Sequence, residues 1–214
     1  MQKYSFLKME EVFPSDNIIA KWIIGLGIVH NDLYFIKKRL IANYRKRDVS
    51  IQLAELPSLV RLLSASLREA IFYLEESEKE EKIKNYIANL PQDILDIYQE
   101  LKPLFRNGNE AGILQRLTNI RNVTFHYSKP HRDEISRAIE GNSGFFMYEY
   151  EREQFLFAEA ISNTIMIQAL FKEDEMEAQQ KSNVDAIIRR IHEAFYQYIN
   201  FANQVVRHYL KNYL

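Results

Sequence analysis

The chain has 214 residues, 47% of them hydrophobic and 27% charged, with a formal net charge of −1 at pH 7. That balance fits one globular domain over residues 1–214 and argues against wholesale disorder, an integral membrane protein or a basic DNA-packaging protein. Cysteine is absent, which excludes disulfides, thiolate zinc sites and cysteine nucleophiles.

The N-terminal MQKYSFLKMEEVFPSDN lacks the basic start, apolar stretch and cleavage site of a signal peptide. A cytoplasmic protein without a membrane partner is therefore expected, and the Asn122-Val-Thr124 sequon carries no weight. Apolar positions Ile19, Trp22, Ile23, Leu26, Leu33, Ile36 and Leu40 recur at helical steps and predict a first long helix over residues 16–47. Its apolar stretch is broken by Lys21, His30, Asn31 and Asp32, so a buried helix is expected rather than a membrane span. A helix over 57–78 follows, opened by Pro57, then the charged run EESEKEEKIK, expected to be a solvated helix face, and a shorter helix after Pro91 through Ile94, Leu95, Tyr98 and Leu101.

The turn signal Arg106-Asn-Gly-Asn109 resets the chain into a helix carrying Ile113, Leu117, Ile120 and Thr124, which must end near Ser128 because Pro130 disfavours helical geometry at Lys129. A short helix over 130–140 stops at Gly141, a loop at 142–144 follows, and residues 145–150 could form a short extended piece. The nearly all-apolar segment 151–171 is expected to be a central helix. The last helix starts from Ser182 and carries Val184, Ile187, Ile188, Ile191, Phe195, Tyr198, Ala202, Val205, Val206 and Tyr209 at three- and four-residue steps. The expected class is all-α, a helical bundle.

Charge is uneven along the chain. Residues 1–50 hold nine Lys/Arg against five Asp/Glu, and residues 51–102 six against ten, so a polyanion should prefer the first helix. Lys37, Lys38 and Arg39, with Arg45, Lys46 and Arg47, are candidate phosphate contacts for RNA; equally, cations suit the C-terminus of a helix for electrostatic reasons alone.

Histidine is the natural acid or base near neutral pH, and the chain has His30, His126, His131, His192 and His208. Four-residue and three-residue steps to Leu26 and Leu33 make His30 a core histidine. Only His126 sits in a polar constellation, Arg121-Asn-Val-Thr-Phe-His126-Tyr127. Asn122 and His126 share a helix face, and Arg121 is displaced by about 100° and 140° from them, a gap that its length partly bridges. A last-turn position near unsatisfied carbonyls favours the protonated imidazole. The plainer reading is a surface arginine and a capping histidine. His126 and His131 straddle Pro130 without metal-pair spacing or acidic companions, so no metal is expected. No phosphate-binding glycine loop, nucleophile elbow or dinucleotide fingerprint is present, and no cofactor is expected.

The string R-N-V-T-F-H from Arg121 to His126 resembles the R-x4-H signature of HEPN domains, including the polar residue directly after the arginine, and Trp22 to Leu33 is loosely similar to the opening helix of some prokaryotic members. The resemblance implies a HEPN-type bundle with additional helices and a homodimer in which the motifs of two protomers meet. It implies metal-independent RNA cleavage in toxin, defence or RNA-processing systems, with a restraining antitoxin or regulatory protein as a further partner. His126 would then be the acid/base, Arg121 would bind the scissile phosphate, Asn122 would orient them and Tyr127 would contact substrate. Some toxin members have a tyrosine two positions after the histidine that a partner modifies; here Ser128 stands there. Many members bind without cleaving, so a non-catalytic module for RNA, a nucleotide or a protein is the alternative.

Overall fold

Asn17 starts the first long helix by accepting the backbone N–H groups of Ile19 and Ala20 at 2.9 and 3.2 Å, two of the donors that a helix start leaves unpaired. The computed structural model describes residues 8–125, 133–141, 155–171, 181–211 and 213. In chain order these form α1 (Met9–Val12), α2 (Ile18–Tyr44), α3 (Val49–Ser77), α4 (Glu81–Ala88), α5 (Gln92–Leu101), a 3-10 turn (Lys102–Leu104), α6 (Ala111–Phe125), α7 (Asp133–Glu140), α8 (Leu156–Leu170) and α9 (Lys181–Leu210). There is no strand among the described residues. The protein is an all-α helical bundle, and the extended piece expected at 145–150 lies outside the described residues.

The bundle is organised on α2 and α3, which run antiparallel. At one end Trp22 Nε1 donates to Ser77 Oγ at 2.7 Å; at the other Asn43 Nδ2 reaches Gln52 O and Glu55 Oε2 at 3.4 and 3.2 Å. The Ser77 hydroxyl in turn donates a hydrogen bond to Tyr73 O at 2.5 Å, and the Tyr73 hydroxyl donates back to Trp22 O at 2.8 Å. Burial pushes the Tyr73 phenol up to about 12, so it stays a donor at any ordinary pH. This loop requires a close approach. A Cβ at Gly25 would lie 2.2 Å from the Tyr73 hydroxyl.

A continuous core then forms around this pair. α9 packs on α2 and α5, while α6 and α8 pack on α3 and on each other. Phe195, Tyr198, Ala202, Val205 and Tyr209 of α9 are buried, as its periodicity predicts, with Ala194 and Phe201 beside them, while Ile188 of the expected stripe is exposed. α2 buries Trp22, Ile23, Leu26, Leu33 and Ile36 but leaves Ile24, Ile28 and Phe35 exposed. By length and composition it is apolar enough to cross a membrane; in the bundle one of its faces is core.

Two expectations change and a third holds in part. Helix α3 starts eight residues before Pro57, which is buried inside it. Proline removes one helical hydrogen bond, but the first turns are held from outside: Asp48 Oδ1 accepts from Ile51 N at 3.4 Å, and Gln52 Nε2 donates to Tyr44 O at 2.8 Å. The charged run is mostly solvated, as expected, with Glu76, Lys79, Glu80, Glu81, Lys82 and Lys84 exposed, but Glu75 and Glu78 are half-buried. It spans the end of α3 and the start of α4, where Glu75 accepts from Arg106 Nε at 2.8 Å, Glu76 bonds Arg106 and Lys79, and Glu78 accepts from the Tyr98 hydroxyl at 2.9 Å. Finally, α8 is not central. It flanks α3, α6 and α7, burying Ile165 and Met166 while Phe155, Phe157 and Ile167 stay exposed.

The α2–α3 lock gives the first prediction. Ser77→Ala leaves the buried Trp22 N–H without its acceptor and should cost about 1–3 kcal/mol. Gly25→Ala forces the Tyr73 ring away and should cost a similar ~1–3 kcal/mol. Urea denaturation measures both; a midpoint equal to wild type for either variant would show that the lock is not holding the two helices.

Candidate functional site

Helix α6, which carries the arginine and asparagine of the R-x4-H string, is aimed by its entry loop. Glu110 N donates to Pro103 O and Gly108 N to Phe105 O, both at 2.8 Å. A Cβ at Gly108 would lie 2.1 Å from Pro103 O, so glycine is needed for this tight passage. Arg106 anchors the loop to the end of α3, and farther along Arg68 Nε donates to Thr118 Oγ1 at 3.0 Å. Leu114, Leu117, Ile120 and Thr124 form the buried stripe, and Thr124 turns its hydroxyl back to Ile120 O at 2.6 Å.

The opposite face is polar. Gln115 Nε2 donates to Asn119 Oδ1 at 2.9 Å, and Asn122, three residues on, is exposed. Arg121 is half-buried in the last described turn, with Nη1 donating to Asn122 Oδ1 at 3.3 Å. The guanidinium and the carboxamide are thus joined by a long hydrogen bond. His126 and Tyr127 lie outside the described residues, as does His131. Among the described residues no group of three or more His, Cys, Asp or Glu side chains is placed to hold a metal ion.

The six cations of the basic segment do not form one patch. Lys37 lies 4.7 Å above the ring of Tyr196 on α9, Lys38 5.3 Å from Tyr34, and Arg39 5.2 Å from Phe35. Lys46 is ion-paired with Glu55. Arg45 and Arg47 are exposed beyond the end of α2. The Lys46 bond, then Asn43 and the charges of Lys46 and Arg39, hold the Glu55 carboxyl below its usual value against the opposing cost of burial. Arg121 belongs to a helix that packs on α3 and α8, whereas the basic segment extends from one that packs on α3 and α9.

A second polar surface lies between α2 and α9. It is an open groove of about 750 Å³, lined from α2 by His30, Tyr34 and Lys37 and from α9 by Tyr196, Asn200, Asn203 and Arg207. His30 is thus not a core residue. It is half-exposed, stacked on Tyr34 with ring centres 5.8 Å apart, and its Nδ1 is 3.4 Å from Asn31 Oδ1. Its angular position on α2 does point toward α9, but α9 presents polar side chains at that level, so the seam opens instead of closing. The sequence carried a signal for this: Tyr196, Asn200, Asn203 and Arg207 follow one another at four-, three- and four-residue steps, a single uninterrupted face.

Comparison of the chain with protein-family models, with curated proteins and with solved structures finds no match.

The Lys46–Glu55 pair has a pH signature. A carboxyl with a lowered folded pKa contributes stability above its unfolded pKa and loses it as pH falls through the folded value. Lys46→Gln should move the Glu55 titration, followed by NMR of its carboxyl carbon, up toward the ordinary 4.5, and the exposed pair should contribute little to global stability. An unchanged midpoint would show that Lys46 is free to serve a ligand.

Proposed function

We propose that the chain is a HEPN-like protein that cleaves RNA without a metal ion, in a toxin, defence or RNA-processing role, with Arg121, Asn122 and His126 as its catalytic group. The observation that carries this reading is the hydrogen bond from the half-buried Arg121 to the exposed Asn122 in the last described turn of α6, within an all-α bundle. The R-N-V-T-F-H string implies phosphate binding by this arginine.

In this reading the ribose 2′-oxygen attacks the adjacent phosphorus while its proton passes to a base, and the bond from phosphorus to the 5′-oxygen breaks as that oxygen takes up a proton. His126 handles these protons, and Arg121 stabilises the extra negative charge on the phosphoryl oxygens. The products are a 2′,3′-cyclic phosphate and a free 5′-hydroxyl. Asn122 holds the guanidinium in position, and Tyr127 contacts substrate. The protein acts in the cytoplasm, under restraint by an antitoxin or regulatory partner.

Purified protein in chelator is expected to cleave RNA to cyclic-phosphate ends, and His126→Ala and Arg121→Ala to lower the rate by about 100-fold or more. No cleavage by wild type, or equal cleavage by His126→Ala, would overturn the assignment and leave the non-catalytic alternative, saturable binding without turnover.

The proposal includes a homodimer, and the exposed apolar residues of α8 support it. A helix apolar on nearly every side is ordinarily covered, yet Phe157 and Ile167 are 45% and 41% exposed. Light scattering is expected to give twice the 25.4 kDa chain mass for wild type and a monomer for the double variant Phe157→Asp with Ile167→Asp. A monomeric wild type would remove the dimer from the reading.

A further inference from the structure

We propose that the groove between α2 and α9 holds a short single-stranded segment of nucleic acid, several nucleotides long, at a place separate from the Arg121–Asn122 cluster. The proposal goes beyond cleavage: a strand could be held here whether or not α6 carries a working catalytic group.

The first ground is charge. None of the residues lining the groove is acidic, although the chain has 29 Asp and Glu residues. Lys37 and Arg207 make it positive, and neither is paired with a carboxylate among the described residues. Arg207 stands in the last turn of α9, where the helix dipole favours a cation. The dipole accounts for that one cation, not for Lys37 or for the absence of carboxylates along the whole seam.

The second ground is length. Eleven residues separate Tyr196, beneath Lys37, from Arg207, so the two ends of the α9 stripe are about 16 Å apart at the helical rise. Two cations that far apart cannot clamp one phosphate. They suit a polyanion whose phosphates recur along the groove.

The third ground is the chemistry between the cations. Tyr34 and Tyr196 present rings, and His30 is already stacked on Tyr34. Each ring also carries a lysine, Lys38 and Lys37 respectively, which leaves an electron-rich aromatic beside a positive charge, the pairing that holds unstacked bases and their backbone. Asn31, Asn200 and Asn203 offer carboxamides, which both donate and accept and so match base edges. Asn203 is half-buried and its side chain has no hydrogen-bond partner among the described residues. An acidic peptide would satisfy the cations but would leave the rings and carboxamides without a role.

The test uses a fluorescent 2′-O-methyl oligonucleotide of eight residues, which lacks the free 2′-hydroxyl that cleavage needs, so that binding is read apart from chemistry. Wild type is expected to bind it saturably. Asn200→Asp with Asn203→Asp, nearly isosteric and at positions that are not buried, should weaken binding at least tenfold with an unchanged circular dichroism spectrum. Arg207→Glu should weaken it and flatten the slope of log affinity against log salt by about 0.7 for each lost phosphate contact. Arg45→Glu with Arg47→Glu, outside the groove, should change affinity less than Arg207→Glu does. An abasic oligonucleotide or polyglutamate should compete poorly. Absence of saturable binding, wild-type affinity in the groove variants, or competition by polyglutamate as good as by the oligonucleotide would overturn the proposal. A protein that cleaves RNA yet fails these tests would lose the groove and keep the catalytic reading; one that passes them yet does not cleave would do the reverse.

Discussion

The hydrogen-bonded loop of Trp22, Ser77 and Tyr73 across Gly25 fixes how closely α2 and α3 approach, and the remaining long helices take their places from that pair. Each of its three polar groups is buried or half-buried and each is bonded to another member. Losing one leaves a partner unpaired in a low-dielectric setting, where an unmade hydrogen bond is costly. α9 then packs on α2, and α6 and α8 pack on α3. The two polar surfaces thus lie on helices that α2 and α3 separately support.

Among the described residues, some charged side chains tie elements together and others have no carboxylate partner. Arg106 joins Glu75 and Glu76, Arg190 joins Glu110 and Glu100 O, and Arg61 joins Glu159 with Ser58 and Ser162. These pairs bridge different elements and set orientation. Arg61 and Glu159 are 17% and 14% exposed, so each depends on the other to offset desolvation. The second group, Lys37, Arg45, Arg47 and Arg207, has no carboxylate partner among the described residues. A ligand of negative charge would meet this second group at little cost, because no internal bond would have to break.

The division bears on function. On α6 the arginine and asparagine are adjacent in the chain and joined by a long hydrogen bond, so their pairing is a local property. In the α2–α9 groove the partners come from opposite ends of the chain. On the proposed reading, a cleaving group and a strand-holding groove on separate helices would let binding affinity and turnover vary independently.

The all-α class, the extents of α2 and α9, the entry turn before α6 and the stop at Gly141 were legible in residue order, because helical period, capping side chains and turn residues are local properties. So was the placement of Arg121 and Asn122 on one late turn. Local reasoning failed at Pro57, where contacts from the end of α2 offset a missing hydrogen bond. It failed again at α8, whose apolar composition does not say how many neighbours it has, and it read the charged run as solvated without showing that Glu75 and Glu76 meet an arginine some thirty residues on. The helical period states which residues of one helix share a face. It does not state which face of another helix they will meet, since that depends on crossing and rotation set by the packing of the whole core. His30, Tyr34 and Lys37 could be grouped from the sequence, as could Tyr196, Asn200, Asn203 and Arg207; only the tertiary structure brought the two stripes together.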